Sequence, residues 1–189
     1  MRVLLGSKSP RRKELLNKLA INFEIVSIEC DEDFPAEIPH TYVAQYLSEK
    51  KSSVYKQLED SDLLITADTV VLINDSLLNK PKSREEAIYM LDLISGKTHQ
   101  VITGVTLRTN LKTISFSSQT DVTLNTIDSN DQKFYVDNYP IMDKAGGYGI
   151  QDWIGLSHVK WIKGCYFNVM GLPTSMLYKR LKYDFNYES

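Results

Sequence analysis

Residues 6–16, Gly-Ser-Lys-Ser-Pro-Arg-Arg-Lys-Glu-Leu-Leu, put two guanidinium groups at the opening of a helix. Val3-Leu4-Leu5 ahead of them reads as a short buried strand. Ser9 has the chemistry of an N-cap, and Pro10 suits the first helical position, where its missing N–H would be unpaired anyway. Leu15, Leu16 and Leu19 then give the helix one apolar face. Arg11 and Arg12 therefore occupy the first turn, where the helix dipole is already positive and cations are mildly unfavourable. An anion seated at that helix end, taking backbone N–H groups together with guanidinium forks, resolves the conflict. Two solvated arginines are the plain alternative. The order strand, serine, proline, arginine, arginine favours a phosphate.

A second chemical signal is Asp68, in Ala67-Asp68-Thr69, inside the apolar run Leu63 to Ile73. Strands apolar on both faces are usually central, and a carboxylate there is unfavourable unless it is paired or binds a metal. A turn-capping aspartate is the structural alternative, but no turn residue stands beside it. The acidic turn Glu29-Cys30-Asp31-Glu32-Asp33 offers Asp31 or Glu32 as a partner, although such charge runs are ordinarily solvated. Lys80 is held extended by Pro81, Lys51 lies on an amphipathic stretch, and Lys97 and Lys144 sit in turns near glycine. Singly each lysine reads as a surface residue. Together they match what a triphosphate needs, several fixed cations and a divalent metal. Gly146 to Gln151 is glycine-rich enough for backbone to approach a ligand, a weak signal on its own. His40, His99 and His158 are isolated and read as structural or surface residues, not metal ligands.

The elements that must position these groups alternate in type. Phe23–Ile28 reads as a second strand, Thr41 to about Leu58 as a helix, and Leu63–Ile73 as a long strand turned by Asn74-Asp75 toward Leu77-Leu78. Ser83-Arg84-Glu85-Glu86 is a capping box for a helix that stops at Gly96. Val101–Leu107 and Ile114–Leu124 alternate as strands do and pair across a turn at Thr109–Lys112. Ser129-Asn130-Asp131-Gln132 reads as a second capping box, opening a helix to about Tyr139. A strand near Val159–Ile162 and a helix after Pro173 finish the chain. The expectation is α/β, a mixed sheet with flanking helices, in a single domain over residues 1–189.

Composition narrows the partners. The 189 residues carry 22 basic and 24 acidic side chains, net −2, so no global field draws nucleic acid or a membrane surface. Two distant cysteines, Cys30 and Cys165, fit no metal or redox spacing and suit free thiols in a reducing compartment. Met1 to Leu5 is too short an apolar stretch for a signal peptide, and no run reaches membrane-spanning length. A cytoplasmic location is the expectation.

With these residues in place, the chain resembles the Maf (septum formation) nucleoside triphosphate pyrophosphatases over essentially its full length. The matching blocks are Ser7 to Leu16, Asp31-Glu32, Leu47 to Lys51, Ala67 to Val71, Lys80-Pro81, Leu93 to His99 with Thr103-Gly104, Asp143 to Gly146, Tyr148 to Gln151 and Asn168 to Pro173. The resemblance implies an elongated, inosine-triphosphatase-like α/β fold with a cleft between lobes, usually as a homodimer. It also implies hydrolysis of a nucleoside triphosphate to the monophosphate and pyrophosphate. Asp68 falls on the family's proton acceptor, and Arg11, Thr69 and Gln151 fall on positions tied to specificity. Departures are small. Gly6, Ser52 and Gly147 stand where alanine is common, Asn79 where glycine usually precedes Lys-Pro, and Tyr139 to Met142 lacks the frequent Glu-Pro pair. None removes a charged group.

The expected mechanism has water attacking the α-phosphorus in line, with Glu32 and Asp68 holding Mg²⁺ or Mn²⁺ and orienting or deprotonating that water. Ser7, Arg11, Arg12, Lys51 and Lys80 would clamp the phosphates. Gln151, carrying both a donor and an acceptor, suits the imide edge of uracil or thymine. Its block resembles the dTTP- and UTP-hydrolysing branch, so those nucleotides and modified pyrimidine nucleotides rank first and 7-methyl-GTP second. The rival readings are a general phosphatase and a non-catalytic nucleotide-binding protein linked to cell division. The intact pair Glu32 and Asp68 argues against pure anion binding.

Overall fold

In chain order, the computed structural model has β1 (Arg2–Leu5), α1 (Pro10–Lys18), β2 (Phe23–Ile25), α2 (Val43–Val54), β3 (Asp62–Ile73) and β4 (Ser76–Leu78). Then come α3 (Arg84–Ile94), β5 (Thr98–Arg108), β6 (Thr113–Leu124), α4 (Ser129–Asn138), α5 (Trp153–His158), β7 (Val159–Lys163), α6 (Tyr166–Met170) and α7 (Thr174–Asp184). Residues 1–187 are described. The strands form one mixed sheet in the order β2-β1-β3-β5-β6-β7, with β4 on β3. β1 runs parallel to β2 and β3, while the β3–β4 and β6–β7 pairs are antiparallel. The α/β expectation with a mixed sheet holds. Among the described residues no helix is long and apolar enough to cross a membrane.

The chain forms two compact units. The first comprises residues 1–68, 103–118 and the chain from Gly171 onward; the second comprises Thr69–Ile102 and Gln119–Met170. In the first, the buried leucines of β1 and β3, Leu15 and Leu16 of α1 and Val43, Ala44 and Leu47 of α2 belong to the core. Helix α2 crosses β5 in direct backbone contact at Gly104. A Cβ there would stand 2.3 Å from the Gln45 nitrogen, so only glycine permits the approach. In the second, α3 packs against α4 and the 3₁₀ turn Ala145–Gly147. Asn74 and Asp75 both adopt positive φ, as a tight turn between β3 and β4 requires.

Several boundaries differ from the sequence reading, each for a local reason. β2 ends at Ile25 and not Ile28, because its partner β1 ends at Leu5, directly opposite Ile25. Helix α2 ends at Val54 and not near Leu58. Arg108 donates to the carbonyls of Ser52 (2.6 Å) and Tyr55 (2.5 Å), so its guanidinium satisfies the carbonyls released where the helix stops. The α4 cap is Asp128, whose carboxylate accepts from the N–H groups of Asn130 and Asp131, one residue ahead of the expected Ser129. At α3 the Ser83 hydroxyl caps the Glu86 N–H as expected, but the Glu86 carboxylate reaches the Lys82 N–H (2.6 Å). Helices α5 and α6 were not expected. At six and five residues they are too short for a hydrophobic period to register.

Candidate active site

The first unit assembles Ser7, Arg11, Arg12, Glu32, Lys51 and Asp68 from four segments. Ser9 occupies the N-cap position of α1, yet among the described residues its hydroxyl makes no capping bond. Ser7 lies beside it: its Oγ accepts from the Ser9 N–H (3.2 Å) and from Arg12 Nη1 (3.1 Å). Arg12 Nε donates to the Gly171 carbonyl (2.8 Å), so this guanidinium is fixed at two points. Burial lowers the Arg12 pKa, the nearby Asp68 and Glu32 carboxylates oppose that, and Arg11 adds to it. Arginine stays charged through shifts of this kind, so a fixed cation faces the two carboxylates.

Asp68 and Lys51 are brought together by a ladder of contacts. Ser48 on α2 is fully buried and hydrogen-bonds Thr106 of β5 (2.8 Å), while its carbonyl accepts from the Thr66 hydroxyl of β3 (2.7 Å). Three residues beyond Ser48 on one helix face, and two beyond Thr66 on one strand face, stand Lys51 and Asp68. Lys51 Nζ lies 2.5 Å from Asp68 Oδ1 and 3.0 Å from Glu32 Oε1. Lys51 also sits in the last turn of α2, where the dipole favours a cation. Asp68 is 7% exposed. Burial in a mostly apolar strand is tolerated because its charge is met by an ammonium at hydrogen-bond distance.

The acidic turn is held by two consecutive lysines. Lys50 hydrogen-bonds the Asp31 carboxylate and donates to the Asp33 carbonyl (2.8 Å), and its ammonium draws the Asp31 pKa down. Lys51 takes Glu32. Of the two candidates from sequence, the structure therefore brings Glu32 to the Asp68 cluster and directs Asp31 to Lys50. Among the described residues there is no group of three or more His, Cys, Asp or Glu side chains arranged for a metal.

The second unit carries Thr69, Lys80 and Gln151. Thr69 is half-buried on β3, directly after Asp68. Lys80 is exposed between Asn79, whose carbonyl accepts from the Gly146 N–H (3.1 Å), and the buried Pro81. Gln151 follows the glycine-rich turn, and its Oε1 is buried with no hydrogen-bond partner among the described residues. Lys144 departs from the sequence reading. It is 4% exposed, donates to the Pro140 carbonyl and to Asp143 (2.8 Å), and lies 3.7 Å from Asp152. Lys97, the other turn lysine, returns to the Leu93 carbonyl of its own helix (3.0 Å). Sequence reasoning missed Tyr135 and Asp152, which bond each other at 2.9 Å, Asp152 directly following Gln151. Two of the three histidines are buried: His99 against the Tyr148 hydroxyl (2.6 Å), and His158 at 3.2 Å from Asp131.

Comparison with known proteins gives a consistent picture. A family profile described as "Maf-like protein" matches residues 2–183. A dTTP/UTP pyrophosphatase of Porphyromonas gingivalis is 45% identical over 185 residues, 96% of this chain and 93% of the relative. Another protein of that name, from Bacteroides thetaiotaomicron, is 42% identical over 95% and 94% of the two chains. A third, from Flavobacterium psychrophilum, is 40% identical over 94% and 91%. The solved structure of the Staphylococcus aureus Ham1 protein is a remote likeness, 11% identical with a TM-score of 0.42 over 66% of this chain and 72% of that one.

Proposed function

The chain belongs to the Maf-like protein family, and on that premise we propose that it hydrolyses dTTP and UTP to the nucleoside monophosphate and pyrophosphate. We take its two units as one catalytic domain of a cytoplasmic enzyme acting as a homodimer. The observation that carries the chemistry is Lys51 Nζ held between the carboxylates of Glu32 and Asp68, with Arg12 beside them.

Water attacks the α-phosphorus, forming a new P–O bond while the bond to the β-phosphate oxygen breaks. Asp68 takes the proton of the attacking water, and the electron pair of the broken bond leaves with pyrophosphate. Charge grows on that leaving group. Ser7, Arg11, Arg12, Lys51 and Lys80 stabilise it with charge-assisted hydrogen bonds, strongest where water is excluded. A hard divalent cation would take its protein oxygens from Glu32 and Asp68, whose carboxylates both bond Lys51 Nζ here, since Mg²⁺ or Mn²⁺ commonly binds through one or two carboxylates plus substrate phosphates. Held there, it would neutralise phosphate charge and acidify bound water.

Base choice rests with Gln151 and Thr69. The buried Oε1 of Gln151 can accept from the imide N–H of uracil or thymine, and its amide N–H can donate to a flanking carbonyl. A purine carries its donors and acceptors farther from the sugar, so they would meet the Gln151 amide in a different register. Hydrolysis of dTTP in ¹⁸O-water tests the reaction. The proposal expects pyrophosphate together with labelled dTMP; orthophosphate with dTDP would overturn it.

A further inference from the structure

The segment that carries Gln151 is fastened at three of its neighbours, residues 148, 149 and 152, by side chains from other parts of the chain. Tyr135 of α4 is fully buried. Its hydroxyl donates to Asp152 Oδ2 (2.9 Å) and accepts from the Gly149 N–H (3.0 Å). Burial holds its phenol above the ordinary range, so it remains a donor at any working pH. Lys144 adds charge to the same Asp152 oxygen at 3.7 Å. On the other flank, Tyr148 is anchored by His99, ring edge against ring face with centroids 5.3 Å apart.

Asp152 shows that this arrangement overrides local preference. It stands at the N-cap of α5, where an aspartate ordinarily accepts from the helix N–H groups, yet among the described residues its carboxylate makes no such bond. The carboxylate is turned back to Tyr135 and Lys144 instead. Gly149 makes room for it: a Cβ there would stand 2.5 Å from Asp152 Oδ2 and 2.9 Å from Lys144 Cε. Residues 149 and 152 are thus held from α4 and residue 148 from β5, and among the described residues Gln151 between them keeps a buried carbonyl with no hydrogen-bond partner.

We propose that Tyr135 and Asp152, backed by Lys144, form a positioning assembly that aims the Gln151 amide at the pyrimidine base and so sets base selectivity without touching the nucleotide. This rests on reading Gln151 as the group that meets the base. An unpaired buried acceptor discriminates only while it cannot relax toward a substitute partner, which is what a fixed segment provides. Removing the Tyr135 hydroxyl frees Asp152 to cap α5 and loosens Gly149.

The experiment compares Tyr135→Phe, Asp152→Ala, Asp152→Asn and Gln151→Ala in the full chain, measuring kcat and KM separately for dTTP and dATP, with Tm as a control. Tyr135→Phe and Asp152→Ala should each lower the dTTP-to-dATP ratio of kcat/KM about tenfold, mainly through a raised KM for dTTP. Asp152→Asn, whose carbonyl still accepts from Tyr135, should retain most of the ratio. An unchanged ratio in Tyr135→Phe beside a lowered one in Gln151→Ala overturns the assembly and leaves the Gln151 reading intact. An unchanged ratio in Gln151→Ala overturns both. Equal loss of kcat on both substrates would reduce Tyr135 to a structural residue and also overturn the proposal. Should Tyr135→Phe fail to fold, the contrast between Asp152→Ala and Asp152→Asn decides.

Discussion

Lys51 and Asp68 meet at 2.5 Å because Ser48 and Thr66 meet first, one helical turn and two strand residues earlier. The Lys51–Asp68 pairing is thus an extension of the packing of α2 on β3, and its geometry is set by a fully buried serine.

Asp68→Asn should keep the fold, since the side-chain shape is unchanged and Lys51 keeps Glu32 as an ionic partner. Turnover should fall by ~10²-fold or more if Asp68 takes the proton of the attacking water. Circular dichroism and dTTP turnover on the same preparation check both halves. A folded variant with near-normal activity would remove Asp68 from the mechanism.

Arg12 is fastened to Ser7 and Gly171, whereas Lys13 has moved one position around α1. Arg11→Ala and Arg12→Ala should each weaken transition-state binding by on the order of 2 kcal/mol, roughly thirtyfold in kcat/KM. Lys13→Ala should stay within about twofold of the parent. Equal small losses at all three positions would mark the basic run as a solvated face.

His99 gives the stability an acid limb. Burial lowers its pKa to about 4, below the 6.5 of an exposed imidazole. The unfolded chain therefore binds the proton more readily between those values, and stability falls as pH drops from about 6.5 toward 4. The full loss is roughly 3 kcal/mol, with none above pH 7. Urea midpoints measured from pH 7.5 to 4.5 should show a steeper acid slope for the parent than for His99→Gln. Parallel slopes would place the acid sensitivity elsewhere.

Chelation should stop turnover reversibly and leave Tm unchanged. Lys51 already meets both carboxylates, so the Glu32–Asp68 cluster holds together without a metal. Turnover that persists in excess EDTA would contradict a metal-assisted reaction.

Much of this arrangement was legible in the residues alone, where a local rule and the fold agree. Pro10, Asn74-Asp75 and Ser83 mark their elements because each has a backbone preference that the fold keeps. Asp68 stood out because a carboxylate conflicts with the apolar run around it. What escaped depends on partners distant in sequence. Ser9 holds the N-cap position without a capping bond, and the hydroxyl that meets Arg12 is that of Ser7, five residues earlier. Lys144 looked like a surface residue until Pro140, Asp143 and Asp152 surrounded it, and no spacing rule separates Asp31 from Glu32 before Lys50 and Lys51 are placed. Tyr135 gave no signal at all. An aromatic residue on the inner face of a helix reads as core, and only its bonds to Asp152 and Gly149 distinguish it.

The central claim, pyrophosphate release from pyrimidine triphosphates, is tested most directly by kcat/KM across dTTP, UTP, dATP, ITP and 7-methyl-GTP with Mg²⁺ or Mn²⁺ present. dTTP and UTP should lead the panel, each yielding the monophosphate and pyrophosphate. A clear lead for 7-methyl-GTP or ITP would contradict the assignment of Gln151 to a pyrimidine edge.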